Sequence, residues 1–253
     1  MATNRPSSNR DKRGIHVSYV AHLDWDSSFF GFPIGKIHDD VPASELGSAV
    51  QEADKRLLQC TFLLVAADDY DLLDSARQHG FIMRDIRVEL NRPVAGHPTT
   101  KTGLRAGRLE DLPKLREIAR VSFRGTRFFA DRRFPADRSA ELYVELVRKG
   151  LTGEPGWTSI VTDDLCGFVV CYIDRSAGIG AISLIGVSQS KAGKGMGRAL
   201  MAGAGKVFTD ESLLTAKVVT QGHNIAAQRL YQAQGYRTIG TKLWLHRWSI
   251  LDH

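Results

Sequence analysis

Residues Asn224 to Tyr236 read NIAAQRLYQAQGY, downstream of a basic glycine-rich stretch, KAGKGMG, at Lys191 to Gly197. At 3.6 residues per turn the step from Asn224 to Tyr231 rotates the chain by roughly 700°, within about 20° of two full turns, so the amide and the phenol share one helix face. Asparagine is a favoured N-cap because its oxygen accepts from the free N–H groups of the first turn. Gly235 tolerates the left-handed conformation wanted just past a helix end. The stretch predicts one short helix with both ends specified.

Upstream, Ala181-Ile-Ser-Leu-Ile-Gly-Val187 is an apolar, partly β-branched run that reads as a buried strand. From Met196 to Phe208 the apolar positions 196, 200, 204 and 207 keep helical spacing. A strand, a glycine loop carrying Lys191 and Lys194, and a helix N-terminus make an anion site, because free backbone N–H groups and the helix dipole converge there. Glycine matters in such a loop because a Cβ would hold phosphates away from the backbone. The pattern is not that of a dinucleotide-binding fingerprint, whose glycines follow the strand directly: here five residues separate Val187 from Gly193, and the third glycine falls one position early. A P-loop is excluded too, since Gly193-Lys194 is not followed by Ser or Thr.

Together these residues resemble the GNAT family of acetyl-CoA-dependent N-acetyltransferases. That family's core is a strand ending in valine, then Gln/Arg-x-x-Gly-x-Gly/Ala opening a helix, then Asn-x-x-Ala-x-x-Leu-Tyr-x-x-x-Gly-Phe/Tyr on a later helix. The chain supplies Val187, then Gly195 and Gly197, then Asn224, Ala227, Leu230, Tyr231, Gly235 and Tyr236. Ala192 stands where the family usually has Gln or Arg, so Lys191, Lys194 or Arg198 is left to supply that charge. The resemblance implies acetyl-CoA as acyl donor and no metal. It places the cofactor against Ile185, Gly186, Val187, Gly193, Lys194, Gly195, Met196, Gly197, Arg198, Asn224, Ala227 and Tyr231. Backbone N–H groups at the end of the Ala181 to Val187 strand would hold the developing oxyanion where the strand splays, and Gly186 makes a bulge there easy. Tyr231 is the implied catalytic acid: a phenol with pKa about 10 is protonated at neutral pH and near enough to a thiol's pKa to hand over its proton.

The 253 residues suit one large domain or two small ones, and a 43% hydrophobic fraction is enough for real cores. A net charge of +6 favours anionic ligands in a general way, but no Lys/Arg block or aromatic ladder points to nucleic acid. The three cysteines, Cys60, Cys166 and Cys171, form no CxxC pair and no metal pattern. The N-terminus is polar and basic, and no run of 18 apolar residues occurs. A soluble cytoplasmic protein is expected, with small-molecule partners, no membrane insertion and at most a homodimeric assembly.

Along the chain, residues 1–14 read as a flexible tail and 15–92 as a small N-terminal α/β domain. Its elements are an extended His16 to Val20, a helix at Ser44 to Cys60, a strand at Thr61 to Ala67, a helix at Asp71 to His79 and a strand at Phe81 to Leu90. Residues 93–103, rich in Pro, Gly and Thr, read as a linker. The second domain, 104–253, begins with a short strand and a helix at Glu110 to Ala119, with Pro113 in its first turn. Strands follow at Thr158 to Val161 and Cys166 to Ile173, turned by Asp163-Asp164, and the last strand is Lys242 to Trp248. The fold class is α/β: a mixed central sheet with flanking helices, of the order found in a whole GNAT domain, preceded by a smaller, truncated GNAT-like unit.

Three outer segments sharpen the resemblance: His22-Leu-Asp-Trp-Asp-Ser-Ser-Phe-Phe-Gly31, Thr126-Arg-Phe-Phe-Ala-Asp-Arg-Arg-Phe134 and Leu243-Trp-Leu-His-Arg-Trp248. They look like the two-domain bacterial dTDP-fucosamine acetyltransferases. That resemblance implies a dTDP-4-amino-4,6-dideoxy-galactose acceptor, a role in surface-polysaccharide assembly, and Arg127, Asp131 and Arg132 near the acceptor. Two alternatives stand beside it: a GNAT enzyme for another small amine or a protein N-terminus, and a non-catalytic CoA-binding module. His223, Asp131 and Glu141 are available as a general base, the resemblance equally allows a water chain to carry the proton, and nothing in the sequence chooses among them.

Overall fold

A computed structural model describes residues 18–94 and 103–249. The expected 1–14 tail, the first residues of the His16 to Val20 segment and most of the 93–103 linker lie outside the described residues. In chain order the first elements are β1 (Val20–His22), α1 (Asp24–Phe30), β2 (Ile34–Ile37), α2 (Leu46–Lys55), β3 (Cys60–Ala66), α3 (Tyr70–Gln78) and β4 (Ile82–Pro93). Then come β5 (Leu104–Ala106), α4 (Leu112–Ser122), α5 (Arg127–Ala130), α6 (Ala136–Thr152), β6 (Trp157–Thr162), β7 (Gly167–Asp174) and β8 (Ile179–Val187). The last are α7 (Met196–Asp210), β9 (Thr215–Gln221), α8 (Ile225–Ala233) and β10 (Arg237–Trp248).

The described residues form two compact units, one of residues 18–86 with 242–249, the other of residues 87–94 with 103–241. The division falls within β4 and β10 rather than in the segment 93–103. The expectation that Lys242 to Trp248 completes the second domain is corrected on this point. Lys242 pairs with Ala66 and Trp248 with Cys60, which makes the end of β10 a strand of the first unit.

In the first unit, β1 runs antiparallel to β2, β2 parallel to β3, and β3 antiparallel to residues 242–248. Val20, Ile37, Leu63, Val65 and Leu245 turn one sheet face toward Leu46, Ala49, Val50 and Ala53 of α2 and Leu72 and Ala76 of α3. Each such large side chain stabilises the fold by about 1.5–3 kcal/mol on burial. Helix α2 stops at Lys55, short of the expected Cys60: Leu57 takes φ +55°, Leu58 N–H bonds back to the Ala53 carbonyl at 3.1 Å, and Leu58 turns into the core. Two elements were not expected, the short helix α1 and the strand β2.

In the second unit, β5 to β8 form an antiparallel run, β8 pairs parallel with β9, and β9 pairs antiparallel with residues 87–93 of β4. A parallel pair of consecutive strands needs a crossover, and α7 provides it. Leu200, Met201, Ala204 and Phe208 of α7 pack on Val169, Cys171, Ile182, Ala216 and Val218, with Tyr231 and Tyr236 in the same core. No helix among the described residues is long and apolar enough to cross a membrane.

Candidate active site

Strand β8 has two halves. Ile179 to Ile182 pair with Thr215 to Val218 of β9, and there the ladder ends. Beyond it β9 stays with β4, Gln221 opposite Arg87, while β8 stays with β7, Val187 opposite Gly167. The two parallel strands therefore part after Ile182 and Val218, and the facing edges of residues 183–187 and 219–221 carry no ladder between them. Backbone N–H groups on such an edge remain available to a ligand.

The cause of the parting lies in the register with β7. Val170 faces Leu184 but its neighbour Cys171 faces Ile182, which leaves Ser183 as an extra residue, a β-bulge that bends one strand away from its partner. The bulge expected at Gly186 is thus found at Ser183. Gly186 keeps regular pairing with Phe168, and its missing Cβ serves packing instead: a Cβ there would stand 2.7 Å from the Phe168 ring.

After Val187 the chain makes a short 3-10 turn at Gln189–Lys191 and enters the glycine loop. Gly193 and Gly195 have φ of +76° and +83°, and a Cβ at either would meet nothing within 4 Å. Gly195 is the N-cap of α7 and supplies no side-chain cap, so the N–H groups of the first helical turn have neither an intrahelical acceptor nor a capping side chain. This is the cradle that a phosphate-bearing ligand needs. Lys191 is held by Asp164 at 3.3 Å and Lys194 donates to the Ser190 carbonyl at 3.0 Å, while Arg198 is exposed in the first turn. Asp164 is lowered to about 2, chiefly by the Thr162 hydroxyl and the Cys166 N–H, with Lys191 adding to it. Gly197 has a separate reason to lack a side chain, since its Cβ would lie 3.1 Å from Leu230 of α8. The cradle is packed directly against the helix that carries Tyr231.

Helix α8 begins and ends as the sequence predicts. The Asn224 oxygen accepts from the Ala227 N–H at 3.1 Å, and Gly235 has φ +83°. Tyr231 is 4% exposed and sits 6.2 Å from Tyr236, ring centroid to centroid. Burial pushes the Tyr231 phenol up to about 12 and raises Tyr236 as well. Met196, Ile185 and Val187 are half-buried along the same core.

The acceptor-side residues separate. Arg132 is exposed, Arg127 is half-buried with its guanidinium 4.2 Å from the Phe128 ring, and Asp131 is only 1% exposed. Two residues that sequence reasoning had not placed enter here: Ser183, for which no local signal exists, and His223, which directly precedes the capping Asn224. Among the described residues no group of three or more His, Cys, Asp or Glu could hold a metal ion.

Residues 113–236 match the model of the acetyltransferase (GNAT) family. A GCN5-related N-acetyltransferase from Sphaerobacter thermophilus has a similar structure, with TM-score 0.64 and 15% identity over 94% of this chain and 79% of that one. A tandem GNAT protein from the clavulanic acid biosynthesis pathway gives TM-score 0.57 at 13% identity, over 86% of this chain and 76% of its own. A glucosamine N-acetyltransferase region in a fungal multi-domain GH3 β-N-acetylglucosaminidase gives 0.58 at 15% identity, over 94% of this chain and 32% of that one. At such identities the likeness establishes the fold. No curated protein matches the chain.

Proposed function

We propose, from the premise that residues 113–236 form an acetyltransferase domain of the GNAT family with acetyl-CoA as co-substrate, that the chain acetylates the amino group of a nucleotide-activated amino sugar of the dTDP-4-amino-4,6-dideoxyhexose type, for surface-polysaccharide assembly. The observation that carries the catalytic reading is the parting of β8 from β9 after Ile182, beside an uncapped helix N-terminus and the helix of Tyr231.

In this reading the N–H groups of Met196, Gly197 and Arg198 and the loop Gly193-Lys194-Gly195 take the pyrophosphate. Arg198 supplies the charge that Ala192 does not. The freed backbone edge at Ile185, Gly186 and Val187 holds the thioester arm and its carbonyl oxygen. The Asn224 oxygen is spent on its own helix, so the contact it offers the arm is through its NH2 group, with Ala227 beside it. Tyr231 gives its proton to the departing thiolate.

The amino-sugar acceptor rests on two supports: the W-D-S-x-F-F-G and F-F-A-D-R-R-F segments, and the cationic run Arg124, Arg127, Arg132 and Arg133, which suits a diphosphate. The similar fungal region is named for a glucosamine acceptor. Arg132 and Arg127 are the contacts in this reading, and the buried Asp131 shapes the turn that presents them. Free-thiol release from acetyl-CoA, measured with dTDP-4-amino sugars, simple amines and peptides, tests it. Turnover confined to the 4-amino dTDP-sugar supports the proposal. Turnover confined to other amines overturns the acceptor, and CoA binding without turnover on any amine overturns the activity.

A further inference from the structure

We infer that His223 takes the proton from the acceptor amine, an inference that rests on the acetyl-transfer site described above. Three ionisable side chains were open for this role, and the structure engages two of them elsewhere. Asp131 is 1% exposed, and its carboxylate accepts from the Arg133 N–H at 3.3 Å. Glu141 accepts from Arg116 at 2.8 Å and from Arg120, in an ion network that extends to Asp137.

His223 differs in both exposure and position. It is exposed, two residues beyond the end of β9, on the side where β9 has left β8, and one residue before the cap of the Tyr231 helix. The Asn224 N–H bonds to the Gln221 carbonyl and the Ile225 N–H to the His223 carbonyl, both at 3.0 Å, so the backbone at this point is fixed. Across from it lies the turn between α4 and α5. A Cβ on Gly125 would stand 2.7 Å from His223 Nε2, so the imidazole edge rests on a residue without a side chain. That turn is itself anchored: Phe123 stacks on Tyr143 at 4.8 Å, and the Tyr143 hydroxyl donates to Thr126 Oγ1 at 2.5 Å in the interior. It leads straight into the Arg127 to Arg132 segment. The turn carries Arg124, and Tyr143 stands behind it.

An imidazole nitrogen of His223 accepts one proton from the acceptor ammonium. The freed amine nitrogen bonds to the thioester carbonyl carbon, and the carbon–sulfur bond breaks. Tyr231 protonates the sulfur and is restored by the second proton that the nitrogen sheds. His223 passes its proton to water, so one proton is released per turnover.

The test compares the full-length protein with His223→Ala, Gly125→Ala and Tyr231→Phe, using the best amine from the acceptor panel. His223→Ala is expected to lower kcat at least 30-fold with acetyl-CoA KM within twofold, to regain much of the loss in added imidazole, and to approach the unaltered protein at high pH, where the amine deprotonates unaided. Gly125→Ala, which sets a methyl against the ring, is expected to lower kcat with acetyl-CoA KM unchanged. A kcat for His223→Ala within twofold of the original, or a loss that imidazole does not repair, overturns the inference. If Tyr231→Phe is impaired and His223→Ala is not, only the inference falls. If the unaltered protein turns over no amine, the proposed function falls and the inference with it.

Discussion

The two units each contain a turn from a buried strand into a helix, and the turns end differently. In the first unit β3 passes into α3 through Asp69, whose carboxylate accepts from the Leu72 N–H at 3.1 Å, and Asp71 adds a negative charge to the first turn. That helix bonds one of its own first-turn N–H groups. In the second unit β8 passes into α7 through Gly195, which brings no cap, and the first turn carries Arg198 in place of an acid. The difference teaches where a ligand can act: uncapped N–H groups behind a glycine loop are open to an anion, whereas a helix start that has bonded its own N–H to a carboxylate is not.

The proposed function puts the chemistry in the second unit, and Tyr231→Phe is its hardest test. The phenyl ring keeps the buried volume, so folding is retained, while the proton for the leaving thiolate is lost. General acids contribute typically 10²–10⁴-fold. A kcat reduced at least 100-fold with acetyl-CoA KM within a few-fold is expected in steady-state assays. Unchanged turnover would remove Tyr231 from the reaction.

Closing the open turn should cost affinity instead of turnover chemistry. Gly195→Asp places a Cβ in the left-handed region, at about 1–2 kcal/mol of backbone strain, and a negative charge where the phosphates would lie. A rise of tenfold or more in the acetyl-CoA Kd, about 1.4 kcal/mol, is expected by calorimetry. Equal affinity would mean that the uncapped N-terminus is not the anion site.

How much of this could be read before any coordinates depends on the range of the interaction. Asn224, Gly235 and the glycine loop act on their immediate neighbours, so α8 and the start of α7 were legible to the residue. Helix α1 was not, because Leu23 at its N-cap offers no side-chain bond and the seven residues Asp24–Phe30 are too few to show a period. The Ser183 bulge depends on how Val170 and Cys171 of another strand align with it, and no pattern within β8 records that. The same holds for β10, whose end joins β3, a partner far away in sequence. The resemblance put Asp131 near the acceptor with Arg127 and Arg132, yet it is buried, and burial is a property of the whole unit.

The second unit also differs in what it hides from alkali. Burial raises Tyr231 from 10.0 to about 12, raises Tyr236, and pushes the Cys171 thiol from 9.0 to about 12. Raised acid groups keep protons in the native state that the unfolded chain gives up. Their contribution is whole below about pH 9 and is lost as pH climbs toward 12. At pH 11 each buried phenol should lower stability by about 1 kcal/mol. Denaturation midpoints measured from pH 8 to 11 should fall, with the tyrosinate absorbance of the two buried phenols, Tyr231 and Tyr236, appearing only on unfolding. Tyrosinate that appears for all six tyrosines before the midpoint moves would contradict the buried assignment.

The smallest effect is expected at the closed turn, and it completes the contrast. Asp69→Ala removes one side-chain bond to the Leu72 N–H and a charge that suits the helix dipole, and it leaves the buried Leu72 and Ala76 in place. Losses of this kind cost about 0.5–1 kcal/mol, read as a lower denaturation midpoint at unchanged slope. Acetyl-CoA affinity and kcat should stay within twofold, because the substitution opens an N-terminus that has no glycine loop before it and no parted strands beside it. If Asp69→Ala instead gave the first unit an affinity for CoA or free phosphate, an uncapped helix start alone would suffice to make the site. The bulge at Ser183 and the positive φ of Gly193 and Gly195 would then be unnecessary to the argument that they are what distinguishes the second unit.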